Sequence, residues 1–595
     1  MRTGASFKQE TCQENGVFEP QGPIRTVMKP PPGRPAADLP TGPHCTSPLE
    51  TRWRPGYCEP MHVTFVGVGC EQLPISLLAA ICRREGHSVG LAFSAALFDD
   101  RYQLRVPALA QLFDDRSAVI DAIVEQQPDV LACSVLTNLH PWMREVAREA
   151  KERVPGLQVV FGGVHPSAVP DRVLACPEVD FVCVGEGDIA FPALLRALEK
   201  GGPTEAIPNI RYQRTDGTVV RGPQAAFVQD LDALPWFDKQ LWEDHVRVGD
   251  LYITMASRGC PYRCTFCFNS FFAKLPDGPR GKFVRQRSVD HMIGELVAAK
   301  RRYRIRFVDF EDDIFTVNRK WLKPFLERYK REVGVPFQCL THPQHMDDER
   351  AKWLADAGCT WTQMGIQSVD EEYKSQTLQR RESGDHVERA MTALHKHGIK
   401  LKADHIFGLP GEPKTAQHQA RTLYAGQTPT RIDTFWATFF PGTEMMAAAR
   451  ESGALSDADV QRIEEGHPHG YHLQGHVRDE ERAMYQAHEL LFRMMPLLPP
   501  KLRPRVDPAW FENLPAPLSY GAGMTADIVN GMVNFSPDHL AFALHYLTGM
   551  ARHGMRKLGR RAPPAAQVYG PPMGDGPTRA PSVDLDCDHP QHRVA

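Results

Sequence analysis

From about residue 61 to residue 440 the chain repeats one two-part pattern, a short run apolar on both faces followed by a segment with apolar residues at helical spacing. Strands apolar on both faces must be covered on both sides, and helices between successive parallel strands do this. The runs "MHVTFVGV", "HSVGLAF", "DVLACSV", "LQVVFGG" and "VDFVCVG" open the series. In the intervening "SAVIDAIVEQQP", Val119, Ile120, Ile123 and Val124 make one stripe, Ser117 is the expected cap, and Pro128 lies beyond the end. Five such repeats predict a doubly wound α/β sheet over residues 59–205, with its ligand site at the C-terminal strand ends. A hairpin signal follows in "IRYQRTDGTVVRG", with Asp216 and Gly217 as the turn, and residues 206–245 read as hairpin and linker.

A second series runs through "LYITMAS", "RIRFVDF", "VPFQCL", "TWTQMGI", "IKLKADHIF" and "IDTFWATFF". Its first helix is expected to start at Ser288, with Val289, Met292, Ile293, Leu296 and Val297 as its buried stripe. Six β/α units over residues 246–445 predict a partial (β/α)6 barrel, and residues 446–560 read as mainly helical. The flanks, residues 1–58 and 561–595, are rich in proline and polar residues without a period, so disordered tails are expected. A chain of 595 residues exceeds what one core usually organises. Its formal charge of −3 implies no electrostatic attraction to nucleic acid or anionic membrane. The N-terminus lacks the apolar core of a signal peptide and no apolar stretch is long enough to span a bilayer, so a soluble cytoplasmic protein is expected.

The segment "RGCPYRCTFC", residues 258–267, sets Cys260, Cys264 and Cys267 in the spacing C-x-x-x-C-x-x-C, with aromatic Phe266 before the last. The other cysteines are scattered, as expected of reduced thiols. A structural zinc site closes a tetrahedron with four ligands, and Tyr262, Arg263 and Asn269 nearby are poor fourth ligands. Three thiolates on a [4Fe-4S] cluster instead leave one iron without a protein ligand and free to bind a substrate. The segment also follows the first strand of the second series, where β/α barrels concentrate chemistry.

These residues resemble the signature of the radical S-adenosylmethionine (radical SAM) enzymes, C-x-x-x-C-x-aromatic-C, at Cys260, Cys264, Phe266 and Cys267. The resemblance implies that the open iron chelates S-adenosylmethionine, which one electron then cleaves to a 5'-deoxyadenosyl radical. The missing ligand is the cosubstrate. In "FVDFEDDIF" the carboxylates Glu311, Asp312 and Asp313 end the second barrel strand, a position where family members hold the cosubstrate's ammonium group. "AGCTWTQMGIQS" is similar to the family stretch beside the ribose and carboxylate, which implicates Gly365, Gln367 and Ser368, although Gln367 stands where a Glu is usual. "DHIFGLPGE" around Gly408 resembles the strand that supports the adenine.

The doubly wound domain directly before such a barrel resembles the Rossmann-like cobalamin-binding domain of the cobalamin-dependent radical SAM class. Gly162, Gly163, Gly185 and Gly187 would then allow backbone contact with the corrin and its nucleotide tail, while Ser134, Thr137 and Glu186 supply polar contacts. Many such domains carry D-x-H-x-x-G after the first strand, but this chain has "GVGCEQLPIS" there. The resemblance therefore implies a lower cobalt face that is empty, water-bound or approached by Cys70, Glu71 or Gln72.

The leading expectation is a C-methyltransferase acting at an unactivated carbon of a small molecule or peptide natural product. It would use a [4Fe-4S] cluster, S-adenosylmethionine and cobalamin, with an electron donor such as flavodoxin or ferredoxin. An oxidative cyclase or ring-rearranging enzyme with the same cofactors is the alternative. A noncatalytic cobalamin sensor is a third, disfavoured by the intact cysteines and strand-end carboxylates. Residues 446–560 are expected to close the active site. The histidines His467, His469, His472 and His476 read as solvent-exposed or substrate-lining rather than metal-binding, and the basic run Arg280, Lys282, Arg285 and Arg287 as solvated surface. The apolar stripe of "HLAFALHYLTGMARHGMRKLGRR" is expected to pack on its own domain rather than on a membrane.

Overall fold

The computed structural model describes residues 60–99, 106–203, 205–275, 281–467, 477, 479–558, 573, 574 and 576. The expected N-terminal tail lies outside these residues, as do His469, His472, His476 and Arg280. Most of the expected C-terminal tail does too, but Met573 packs on the hydrophobic core and Gly576 lies against Trp236, so that end is not wholly detached.

The first sheet has seven strands: β1 (His62–Val68), β2 (Ser88–Ser94), β3 (Val130–Ser134), β4 (Gln158–Gly162), β5 (Phe181–Cys183), β6 (Ile210–Gln213) and β7 (Val219–Arg221), in the order β2-β1-β3-β4-β5-β6-β7. The five apolar runs are its parallel strands, and the hairpin adds β6 and β7 antiparallel at one edge. The chain winds from β1 to β2 on one side and crosses to β3 on the other, so the switch point, where such sheets receive ligands, lies beyond the ends of β1 and β3. The helix Arg116–Gln126 buries Val119, Ile120 and Ile123 as its spacing demands. It is entered at Asp115 rather than Ser117, and the Asp115 carboxylate reaches back to the Ser94 hydroxyl and the Ala95 amide at the end of β2.

The second sheet comprises β8 (Tyr252–Thr254), β11 (Val308–Phe310), β12 (Phe337–Thr341), β13 (Cys359–Gln367), β14 (Lys400–Phe407) and β15 (Arg431–Trp436). A two-stranded ribbon, β9 (Ser257–Arg258) with β10 (Arg285–Gln286), stands between β8 and β11 in the chain. The six strands are parallel and follow one another in sequence order, with β8 and β15 as edges, so the barrel is open between its first and last strands. Ser288 caps the helix Val289–Tyr303 by accepting the His291 amide at 3.1 Å, and Met292, Ile293 and Leu296 are buried. Val63 and Phe65 of the first sheet belong to the same hydrophobic cluster as Phe310 and Phe337 of the second, so one core runs through both.

The basic run departs from the solvated-surface expectation. Arg285 and Arg287 are each 6% exposed. Arg285 pairs with Glu186 in the segment after β5, and Arg287 pairs with Glu295 of the helix it precedes. Helices Asp479–Met494, Ala516–Val533 and Pro537–Lys557 dominate the C-terminal region, and among the described residues no helix is long and apolar enough to cross a membrane. The last helix docks on the exit of β2, where Tyr546 accepts the Phe98 amide at 3.1 Å and the His545 ring meets the Ala95 carbonyl at 2.9 Å. It buries only Tyr546 and Gly549, leaving Leu540 and Leu547 exposed.

Candidate active site

The ribbon strand β9 delivers the chain into the cysteine segment. Gly259 opens it with φ +84°, and a β-carbon there would stand 2.4 Å from the Phe283 carbonyl oxygen, so only glycine fits. Cys264 is buried, and Cys260 and Cys267 are partly so. Burial pushes the thiol of Cys260 up to about 12 and that of Cys267 up to about 11, with Asp313 and the neighbouring cysteines adding repulsion. Three thiols this close repel one another as thiolates, so they ionise together when a metal centre supplies positive charge. Arg380, 6% exposed, sets its guanidinium 4.0 Å from the Cys264 sulfur and is itself held by Glu382 at 2.8 Å and the Gly365 carbonyl at 2.8 Å. A soft thiolate set with one buried cation fits an iron-sulfur cluster. Among the described residues no three His, Cys, Asp or Glu side chains are grouped as ligands of a single metal ion; thiols that serve separate irons need not be.

The acidic run follows β11 and enters a turn at Asp313, and its three carboxylates divide between wall and cavity. Asp312 turns into the wall, where it accepts the Ala256 amide at 3.0 Å and the Ser257 hydroxyl, with burial raising its carboxyl to about 6. It therefore ties β11 to the exit of β8 and does not face a ligand space, contrary to expectation. Asp313 accepts the Asn269 amide at 2.7 Å beside Cys260 and Cys267. Glu311 projects into the barrel lumen next to Asp309. Both Glu311 and Asp313 have accessible surface, yet burial raises both carboxyls. The surface of Glu311 is cavity wall rather than bulk interface.

Two cavities meet here. The smaller, about 510 Å³, is bounded by Phe266, Cys267 and Asn269 of the cysteine segment, by Gln367 and Asp404 of the barrel, and by Thr137 from the end of β3. Gln367 lies at a register shift between β13 and β14 with φ +65°, and a β-carbon on Gly365 would meet its amide at 2.4 Å. The side-chain oxygens of Gln367 and Thr137 are buried with no hydrogen-bond partner, two orphaned acceptors in one cavity wall. The larger cavity, about 940 Å³, runs from Cys70, Glu71 and Gln72 at the switch point through the gap between β8 and β15 into the lumen. Leu136, Asn138 and Phe435 border both.

The remaining expected residues are distributed unevenly. Glu71 borders the larger cavity, but its carboxylate pairs with buried Lys239 and accepts the Ser76 hydroxyl at 3.0 Å, so it is not available below a corrin. Glu186 is bound by Arg285 at 2.7 Å and Arg258 at 3.3 Å, which removes it from the expected ligand contacts. Arg258, two residues before Cys260, also clamps Asp188 with contacts of 2.6 and 3.1 Å, joining the segment after β5 to the cysteine segment. Gly163 takes φ +100° where a β-carbon would meet the Val135 amide at 2.9 Å, so its freedom serves chain packing. Ser134, Gly162, Gly163, Gly185 and Gly187 border neither cavity. Gly408 packs on Val477, and Ser368 donates to Glu412 at 2.5 Å within the barrel wall. Arg258, Lys239 and Arg380 are absent from the sequence-based set, since nothing local to them marks a role.

Residues 63–195 match the B12 binding domain and residues 255–418 match the Radical SAM superfamily. The chain belongs to the cobalamin-binding radical SAM family. Its domains imply a [4Fe-4S] cluster, S-adenosylmethionine and cobalamin as cofactors. This radical SAM protein is 27% identical to an uncharacterized methyltransferase of Pyrococcus horikoshii over 64% of its own length and 82% of the relative's. It is 24% identical to the anaerobic magnesium-protoporphyrin IX monomethyl ester cyclase of Rubrivivax gelatinosus over 54% of this chain and 58% of that one. Among solved structures, the radical S-adenosylmethionine methyltransferase TsrM from Kitasatospora setae, with cobalamin and a [4Fe-4S] cluster bound, aligns at TM-score 0.52 and 20% identity over 67% of this chain and 79% of that chain.

A buried relay behind the smaller cavity makes a test of the wall. Glu412 accepts Ser368 on one oxygen and Gln417 at 2.9 Å on the other, and Gln417 meets His405 at 3.0 Å. Burial raises the Glu412 carboxyl from 4.5 to about 7. The folded protein then holds a proton between those values that the unfolded chain releases, so this stabilisation is full below about pH 4.5 and is lost as pH rises to about 7. Glu412→Gln should remove that slope. Urea titrations at pH 4.5 and 7 are expected to show the wild-type stability, taken relative to the variant, falling by on the order of 3 kcal/mol.

Proposed function

We propose that this cobalamin-dependent radical SAM enzyme is a C-methyltransferase acting at an unactivated carbon of a small-molecule or peptide natural product. The meeting of the two cavities at Leu136, Asn138 and Phe435 carries the reading, because it joins the switch point of the first sheet to the cysteine segment. When bound, the cluster, S-adenosylmethionine and cobalamin supply hydrogen abstraction from carbon and the methyl group. Cys260, Cys264 and Cys267 would hold the cluster, with Arg380 offsetting thiolate charge. Asp313 would take the cosubstrate's ammonium group, and Gln367 and Thr137 would accept hydrogen bonds in the same cavity. Cys70 and Gln72 stand where a corrin's lower face would rest on the first sheet. The Asp188–Arg258 clamp sets the two halves in register, and the apolar walls Phe266, Phe268 and Phe440 exclude water. An electron donor such as flavodoxin or ferredoxin completes the system.

The similarity to a cyclase favours a second reading, ring formation with the same cofactors and no methyl transfer. Anaerobic incubation with reductant, cobalamin and methyl-deuterated S-adenosylmethionine, followed by mass spectrometry of cell extract, separates the two. Label in a new product is expected for the methyltransferase. Deoxyadenosine formed without label transfer would replace it with the cyclase.

A further inference from the structure

The lumen wall of the larger cavity carries two carboxylates, Asp309 and Glu311, that its cations do not contact directly, although the charge of Lys402 favours the ionised form of both and that of Asp538 opposes it. Lys402 pairs with Asp538, Arg431 with Asp433, and Arg493 with both Asp527 and Glu489. Among the described residues, no Lys, Arg or His forms an ion pair with Asp309 or Glu311. Asp309 is 4% exposed, and its Oδ2 accepts the Gln338 amide at 2.7 Å while its Oδ1 is buried with no donor. Glu311 stands beside it with its surface open to the cavity. Such a pair weakens the empty protein unless something cationic enters. A metal cage is a poor match, because a hard divalent ion takes six or more oxygen ligands and no group of three candidate ligands is arranged for one among the described residues.

We propose that the barrel lumen seats the protonated amine of a cationic substrate on Asp309 and Glu311. The inference rests on the larger cavity being the substrate's place, and it adds the substrate's charge. An ammonium group offers donors to the orphaned Asp309 oxygen and to Glu311, which otherwise shares a hydrogen bond with Asp309, and its charge replaces the proton that burial otherwise keeps on the pair. A neutral molecule of the same size can donate but brings no charge, and an anionic one does neither.

The test is calorimetric titration of the cofactor-loaded protein with three probes of similar length, 1,4-diaminobutane, butane-1,4-diol and butanedioate. The diamine is expected to bind about tenfold or more tighter than the other two, and Asp309→Asn or Glu311→Gln should weaken it by about tenfold. Binding should also release protons, seen as a heat that depends on the buffer. Equal binding of the diol, tighter binding of butanedioate, or a diamine affinity unchanged in both variants would overturn the proposal. Should either variant fail to fold, the three-probe comparison on the wild type decides alone. Diamine binding without labelled methyl in any product would sink only the methyltransferase, and labelled product without diamine binding would sink only the amine seat.

Discussion

Replacing Cys260, Cys264 and Cys267 together with alanine is expected to remove bound iron and sulfide and to drop S-adenosylmethionine cleavage to background, with the fold intact. The thiols are the soft donors of the segment, the ligand type an iron-sulfur cluster takes. The segment's path depends on other contacts. Thr265 donates to the Thr377 carbonyl at 2.9 Å, the Met445 amide donates to the Thr265 carbonyl at 3.0 Å, and Gly259 sets the entry. Loss of the thiols therefore removes the site without removing its frame. The measurement is iron and sulfide content after anaerobic reconstitution, with the paramagnetic spectrum recorded before and after the cosubstrate is added and circular dichroism as the fold control. A triple variant that keeps a cosubstrate-dependent spectral change would move the cluster elsewhere.

Lys239→Met is expected to destabilise the protein by about 3–5 kcal/mol, the cost of leaving a buried charge without its partner. Lys239 is 1% exposed and Glu71 7%, and the ammonium also donates to the Ile253 carbonyl of β8 at 2.5 Å. One lysine from the linker thus binds the switch-point segment of the first sheet to the first strand of the barrel. Converting Glu71 to Gln in the same chain should recover most of the loss, since the pair is then replaced by neutral groups. Urea denaturation of the two single variants and the double variant measures this. A Lys239→Met protein within 1 kcal/mol of wild type would mean that water reaches the Glu71 carboxylate, and the buried bridge would not be a bond between the halves.

The β/α order was legible because it is written in short-range periodicity. A run such as "LQVVFGG" can bury both faces only inside a covered sheet, and the stripe after Ser288 can form only on a helix. The cysteine spacing was legible for the same reason, since three donors within eight residues are local information. The separation of Asp312 from Glu311 was also within reach, because neighbours at a strand exit point to opposite faces. Its direction was not, since only the neighbouring Ala256 and Ser257 show which side is wall.

Charges in apparently solvated stretches misled for a different reason. Arg285 and Glu186 lie 99 residues apart and Lys239 and Glu71 lie 168 apart, and no local pattern announces partners at such distances. Arg380 beside Cys264, 116 residues away, belongs to the same class.

The amino-acid sequence alone determined that this chain makes two largely parallel sheets in series and offers three thiols where the second begins, because burial and ligation by neighbours in the chain need only short-range order. Which cations guard those thiols, which carboxylates remain bare, and where the two sheets open into a shared cavity were decided only in the folded protein. Electrostatic partnership depends on distance through space, and packing of the two sheets into one core is what sets those distances.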